Sequence, residues 1–365
     1  MLENGKIGSR QLLILVVMLT IGDAILVLPS IPAMEAKQDA WIVAIVSVIL
    51  GSLIVFLYHS TSILFPNLTL VEYSEKILGK WLGITVSFLF LSYWFISAAA
   101  HLGQIGSFLS THIMPDTPVQ WINGLFLCTI IMAARLGLEP VARSAEIFSP
   151  FLLLLLLILT IFLLPEIKTQ NMKPILEEGF KPIIRGSFAF ITFPFMELVV
   201  ILMILPYVSE KQKIRKSLFL GALIGGLVLI VITTLTILVL GADQTARHIY
   251  PSYELARKIN IGNFFQRVEA IMAILWFITI YFKIGLYFYA TSLGLAQTLR
   301  LKEYRPFTIP LGMIMIVLSL VVSPNIVYYN NAIIKYWPLY DMTMGFILPL
   351  LLLTVARFRH NKEKG

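Results

Sequence analysis

Apolar residues gather along this chain in ten long blocks, near 10–34, 40–64, 83–110, 119–135, 142–164, 183–206, 214–240, 267–298, 307–327 and 337–356. A run of about 20 apolar residues is what a helix needs to cross a bilayer. No block alternates with the period of two that a membrane barrel requires, and lipid leaves helices as the remaining way to pair every backbone amide. The pattern therefore predicts an all-α integral membrane protein of ten transmembrane helices, with residues 1–365 forming a single transmembrane domain. Blocks nine and ten are the most interrupted, by Pro310, Pro324, Lys335 and Asp341.

Composition agrees and excludes other classes. Apolar residues make up 58% of the chain and charged ones 13%, with a mean hydropathy of +0.86. Soluble domains run roughly 45–50% apolar and 25% charged. A soluble enzyme, a nucleic-acid-binding module and a secreted disulfide scaffold are excluded on that ground. The net charge of +8 reads as topology rather than as affinity for nucleic acid, because Lys and Arg hold loops on the cytoplasmic side. With the N-terminus inside, seventeen of the 28 Lys and Arg fall inside, ten outside, and Lys283 within a span. Most of the outer ten sit in or beside two long loops, where they weigh little, so both termini are expected in the cytoplasm. The apolar stretch from Gln11 onward reads as a retained span and not a cleaved signal peptide. The lone Cys128 lies inside an apolar run and offers neither a disulfide nor a thiolate metal site. No phosphate-binding glycine loop, zinc-ligand spacing or nucleophile triad occurs, so no catalysis, cofactor or metal is expected.

The two long outer loops cover about 165–182 and 241–266. Within the second, Tyr250 to Ile259 carries apolar residues at helical spacing among charges, the pattern of an interfacial amphipathic helix. A plain surface helix is preferred there over a cap on a cavity mouth. The terminal tails are too short to be domains, so any soluble output is expected from a partner.

Two spans contain poor helix chemistry. Span one carries Gly22-Asp23 in mid-membrane, followed by Pro29 and Pro32. Glycine costs about 1 kcal/mol and proline about 3 inside a helix, and a central Asp about 2.5–3.5 on insertion scales. Span six carries Pro194 with Glu197 just beyond it, then Pro206. Breaks in spans one and six divide the ten helices into five-helix repeats, 1–164 and 183–356, as an inverted-repeat transporter does. Half-helix ends expose amides and carbonyls that suit a small zwitterion. The ligand-binding candidates are Gly22, Asp23, Ala24 and Ile25 at the first break, with Thr192, Phe193, Pro194, Phe195 and Glu197 at the second. Tyr93, His101 and Gln104 on span three are candidates to face the same cavity, although His101 reads first as a hydrogen-bonded packing histidine.

In order along the chain stand Ile21-Gly22-x-x-Ile25-Leu26-x-Leu28-Pro29, Phe193-Pro194-Phe195-x-Glu197, Arg267-x-Glu269, Phe282-Lys283 and Leu293-Gly294-Leu295-Ala296. On these segments, and over essentially its whole length, the chain resembles the B subunit of spore nutrient-germinant receptors. That is the endospore germination permease family, within the amino acid–polyamine–organocation superfamily. The superfamily resemblance implies the ten-helix inverted-repeat fold. The family resemblance implies reception of a small nutrient, often an amino acid, in the inner membrane of a dormant spore. It also implies an A subunit and a lipoprotein C subunit as partners. One departure stands out: superfamily transporters place a run of small residues at the first break, whereas here Asp23 follows Gly22. An ionised Asp23 would repel a ligand carboxylate. Asp23 therefore binds an ammonium, turns aside as N-cap of the second half-helix, or is protonated, with the cap placed first.

Asp23, Glu197 and Lys283 are expected to share one cavity, because intramembrane ionisable residues face interiors and find partners. They form either an ion pair that locks helices or a charge relay in which Lys283 substitutes for a coupling ion. Glu269 lies 14 residues before Lys283, about 21 Å along a helix, so Arg267 and Glu269 read as a structural anchor at the outer end of span eight. The leading expectation is a receptor subunit that signals to its partners. A stand-alone proton-coupled amino-acid permease is the alternative, and a ligand-opened conduit a third class.

Overall fold

The computed structural model describes residues 3, 5–259 and 268–364. Among them, ten helical stretches are long and apolar enough to cross a membrane. They are Ser9–Val27, Ser30–Leu64, Lys80–His112, Val119–Leu136, Leu138–Glu166, Phe180–Met203, Lys211–Leu240, Glu269–Thr298, Arg305–Val322 and Trp337–Arg359, spans 1 to 10 below. Span 1 continues beyond Val27 through a short helix, Ser30–Ala36, before the chain turns at Lys37–Asp39. The rest of span 2 is the unbroken helix Ala40–Leu64. The sequence places this boundary correctly because Lys37, Gln38 and Asp39 are the first polar run able to lie in water.

Spans 1 and 6 are the buried heart of the bundle, and both are discontinuous. Span 1 packs along span 7, where Gly221 and Gly225 admit Val16 and Thr20 of span 1 with no room for a side chain of their own. Span 3 crosses span 8, and span 10 lies against span 6. Residues facing outward from spans 4, 5 and 9 are largely exposed apolar side chains such as Leu125, Leu153, Leu157 and Val317. With lipid as solvent such faces need no cover.

Two connections differ from the expectation. Between spans 2 and 3 an additional helix, Leu70–Leu78, opens with a reciprocal cap between Thr69 and Glu72, the Ser/Thr-x-x-Glu signature of a helix start. In the second long outer loop, the helix at Pro251–Arg257 is not a surface helix. Pro251, Ser252, Tyr253, Leu255 and Ala256 are buried, and it packs on spans 7 and 8 and on the second half of span 1. The rings of Tyr250 and Tyr253 meet Phe108 edge-on at 5.1 Å, and Phe108 in turn meets Trp276 at 5.0 Å. An aromatic cluster draws the helix into the bundle because these rings bury more apolar area there than an interface would cover. On the opposite face the N-terminal segment lies against the end of span 6, with the Ile7 N–H donating to the Tyr207 carbonyl at 3.0 Å.

Candidate functional site

The first break is made by Gly22. The helix Ser9–Ile21 ends there with φ +33°, in the region that favours glycine. A Cβ at this position would stand 2.5 Å from Lys283 Cδ and 2.9 Å from the Leu19 carbonyl. The carbonyl of Gly22 leaves the helix ladder and accepts from the Thr279 hydroxyl at 2.8 Å. Helix resumes at Ala24–Val27, and Ala24 and Ile25 are fully buried.

Asp23 therefore stands at an N-cap position, but its side chain caps nothing. The reading placed first from the sequence is overturned: the carboxylate binds an ammonium, and that ammonium is the chain's own. Lys283 Nζ lies 2.5 Å from Asp23 Oδ1. A cap is worth about 1 kcal/mol, whereas an unpaired buried charge costs several, so the ion pair wins the side chain.

The second break follows Pro194, which removes a helix donor and crowds the preceding turn. The α-helix Phe180–Phe195 tightens into an eight-residue 3-10 stretch, Met196–Met203, longer than the three or four residues at which such runs usually stop. Tyr58 of span 2 reaches the start of the 3-10 stretch: its hydroxyl lies 2.9 Å from the Met196 carbonyl and 2.8 Å from that of Gly345 in span 10. Glu197, buried at the start of the 3-10 stretch, forms an ion pair with Lys283. The Phe193 ring lies 5.7 Å from the same ammonium, in cation–π contact.

Lys283 belongs to a stripe on span 8 with Thr279 and Tyr287, spaced by four and so on one helix face. Thr279 holds Gly22, Lys283 holds Asp23 and Glu197, and the Tyr287 hydroxyl lies 3.5 Å from the Glu197 carbonyl. One helix thus ties both breaks together. His101 of span 3 places Nδ1 3.7 Å from Asp23 Oδ2, and its ring stacks on Tyr287 at 6.2 Å. Among the described residues it has no hydrogen-bond partner on either nitrogen, contrary to the hydrogen-bonded packing role expected for it. Ligand atoms of Asp23, His101 and Glu197 lie within 4.8 Å of one another, close enough to hold an ion. Lys283 brings a cation to two of the three.

Other candidates are placed differently. Thr192 bonds back to its own helix at Ala189, 3.0 Å away. Phe195 fills the space left by Gly51 and Gly226 on spans 2 and 7. Glu269 is the first residue of the span 8 helix, and Arg267 lies outside the described residues. Gln104 meets Tyr329 at 3.1 Å. Tyr93 reaches neither break: its hydroxyl donates to Asp341 Oδ1 at 2.8 Å. Asp341, fully buried at the start of span 10, is a member of the site that sequence reasoning missed. The sequence shows it only as an interruption of an apolar block, although a buried acid in a span is itself a site signal.

A family model described as Spore germination protein, that of the spore permeases, matches residues 6–327. The chain belongs to that family. Spore germination protein KB of Bacillus subtilis (strain 168) is 29% identical over the whole of this chain and 99% of its own length. Spore germination protein YndE of the same organism is 25% identical over 99% of each. Among solved structures, MhsT in complex with L-phenylalanine superposes with a TM-score of 0.65 at 15% identity, covering 96% of this chain and 99% of MhsT. Mhp1, a nucleobase-cation-symport-1 family transporter in a closed conformation with bromovinylhydantoin bound, gives 0.63 at 12% identity over 96% and 90%. These likenesses show the fold. This spore permease has the 5+5 inverted-repeat transporter architecture, with spans 1 and 6 broken, as the sequence predicts.

Proposed function

We propose that this chain is the membrane B subunit of a spore germinant receptor. It binds a small nutrient, an amino acid, at the broken helices and passes a rearrangement of the bundle to an A subunit and a lipoprotein C subunit. On this reading it sits in the spore inner membrane with both termini in the cytoplasm. Residues 1–164 and 183–356 are its two repeats, and Arg267 with Glu269 anchors the outer end of span 8. The observation that carries the reading is the buried ion cluster of Asp23, Lys283 and Glu197, which joins two helix breaks in a chain of a germination family.

The cluster acts as a latch. Lys283 stands where a transporter coupled to an ion would hold that ion, so one bundle arrangement is stabilised without a soluble cation. Ligand must then bind another arrangement better than this one. Moving a 1:99 population to 99:1 takes about 5.5 kcal/mol of differential binding, and breaking a buried ion pair costs about 3–5. The latch is thus of a size that a ligand can release. Spores carrying Glu197→Gln or Lys283→Met are expected to lose the nutrient response while the protein stays detectable by immunoblot. Wild-type germination curves from both variants would overturn the latch.

A stand-alone proton-coupled amino-acid permease is the second reading, favoured by the likeness to MhsT, which was solved with L-phenylalanine.

A further inference from the structure

Asp341 is a buried carboxyl with no ion pair among the described residues. Its side chain is fully buried, and Oδ1 accepts from the Tyr93 hydroxyl at 2.8 Å. Oδ2 has no hydrogen-bond partner among the described residues. Lys283 is the only buried Lys or Arg among the described residues, and it lies within electrostatic reach of Asp341. Its ammonium is already paired with Asp23 and Glu197 and lies 5.7 Å from the Phe193 ring. Three buried carboxylates thus share one cation.

A proton on Asp341 would remove the charge but would turn an unpartnered acceptor into an unpartnered donor. An N–H-bearing cation answers both deficits, because it neutralises the acid and donates to Oδ2. The surroundings suit an arriving group. Asp341 lies on the short helix Trp337–Met342, packed against span 6, and a π-helical turn follows at Thr343–Ile347. Such turns commonly mark functional positions in helices. Gly345 within it touches the Met196 backbone so closely that a Cβ would fall 2.3 Å from the Met196 carbonyl. A group bound at Asp341 is therefore felt directly at the second break.

We propose that Asp341, steered by Tyr93, anchors the ammonium group of the nutrient, so that the ligands are primary amines or amino acids with a free amino group. This rests on the receptor reading above, which already takes the nutrient to be an amino acid, and adds the residue that holds its amino group.

The test uses the full chain in lipid nanodiscs and a panel of free amino acids, each with its N-acetyl and α-hydroxy counterparts. Binding is read by calorimetry and thermal shift. At least one free amine is expected to bind and its two counterparts are not. Asp341→Asn, which keeps the shape and loses the charge, should weaken that binding about tenfold or more. Tyr93→Phe should weaken it less, and it carries the test if Asp341→Asn does not fold. Equal binding of an N-acetyl or hydroxy counterpart overturns the inference and leaves the receptor reading intact. So does wild-type affinity in Asp341→Asn, including the case where that variant only loses a pH dependence of the unliganded melting temperature and so marks a proton site. Absence of binding by every compound to the wild-type chain overturns the inference together with the receptor reading.

Discussion

At the scale of single residues, the site is governed by which buried charges have partners. Asp23, Glu197 and Lys283 form a set in which removal of one member harms the others. Lys283→Met leaves two carboxylates in the bundle interior, and a broken buried pair costs about 3–5 kcal/mol. Replacing all three, with Asn at 23, Gln at 197 and Met at 283, removes the need for the cation. The triple variant is expected to melt close to the wild type, and Lys283→Met well below it, in detergent-purified protein followed by near-UV circular dichroism. A triple variant as unstable as the single one would mean that the cluster is not an interdependent ion set. The sequence already brings these three residues together, because each is too costly in lipid to stand alone. It does not reveal how Asp23 turns. A cap and an ion pair require the same residue type at the same break, and only the approach of Lys283 from 260 residues away separates them.

At the scale of elements, the start of span 1 shows how distant loops finish a helix. Its N-cap is Gly8, which has no side chain to offer. Glu210, from the loop between spans 6 and 7, takes over: its carboxylate accepts from the Ser9 N–H at 3.2 Å and from the Ser9 hydroxyl, and pairs with Lys213. Lys213 first, and Ser9 second, pull its pKa from the ordinary 4.5 to about 2. A depressed carboxylate contributes stability above its unfolded pKa and loses it as pH falls through the folded one. The clamp should therefore hold at neutral pH and weaken as pH falls from about 4.5 toward 2. Hydrogen exchange at the first amides of span 1 is expected to rise over that interval in the wild type. In Glu210→Gln the same amides should exchange faster at neutral pH and show no such step. An identical pH step in both proteins would assign the titration to another group. The ten spans were legible because lipid admits few alternatives to a long apolar helix. The clamp was not, nor was the buried helix Pro251–Arg257, since both depend on contacts between segments far apart in sequence. Pro194 announced the second break. The length of the 3-10 stretch did not follow from it, because Tyr58 and Gly345 sustain that stretch from two other spans.

At the scale of the whole molecule, the fold admits two occupations, since a 5+5 transporter bundle can carry a solute or merely change shape around it. Lys283 weighs on this choice. A coupling metal ion that dissociates on one side of the membrane can drive net accumulation, whereas a tethered ammonium stays in place and can exchange only a proton. On the receptor reading the bundle changes population with ligand, and another protein reads its rearrangement. Purified chain reconstituted in proteoliposomes under an inward proton gradient is therefore expected to bind its nutrient without concentrating labelled nutrient in the lumen. Solubilised in mild detergent from sporulating cells, a tagged chain is expected to bring down a larger membrane subunit and a lipoprotein. Lumenal accumulation that collapses with an uncoupler would establish the permease instead. Asp341 is a fully buried acid of span 10 that forms no ion pair among the described residues. The Asp341→Asn variant then decides which cation this acid serves: loss of proton-driven uptake with nutrient binding intact marks a proton site in a carrier, and loss of nutrient binding marks the ammonium anchor.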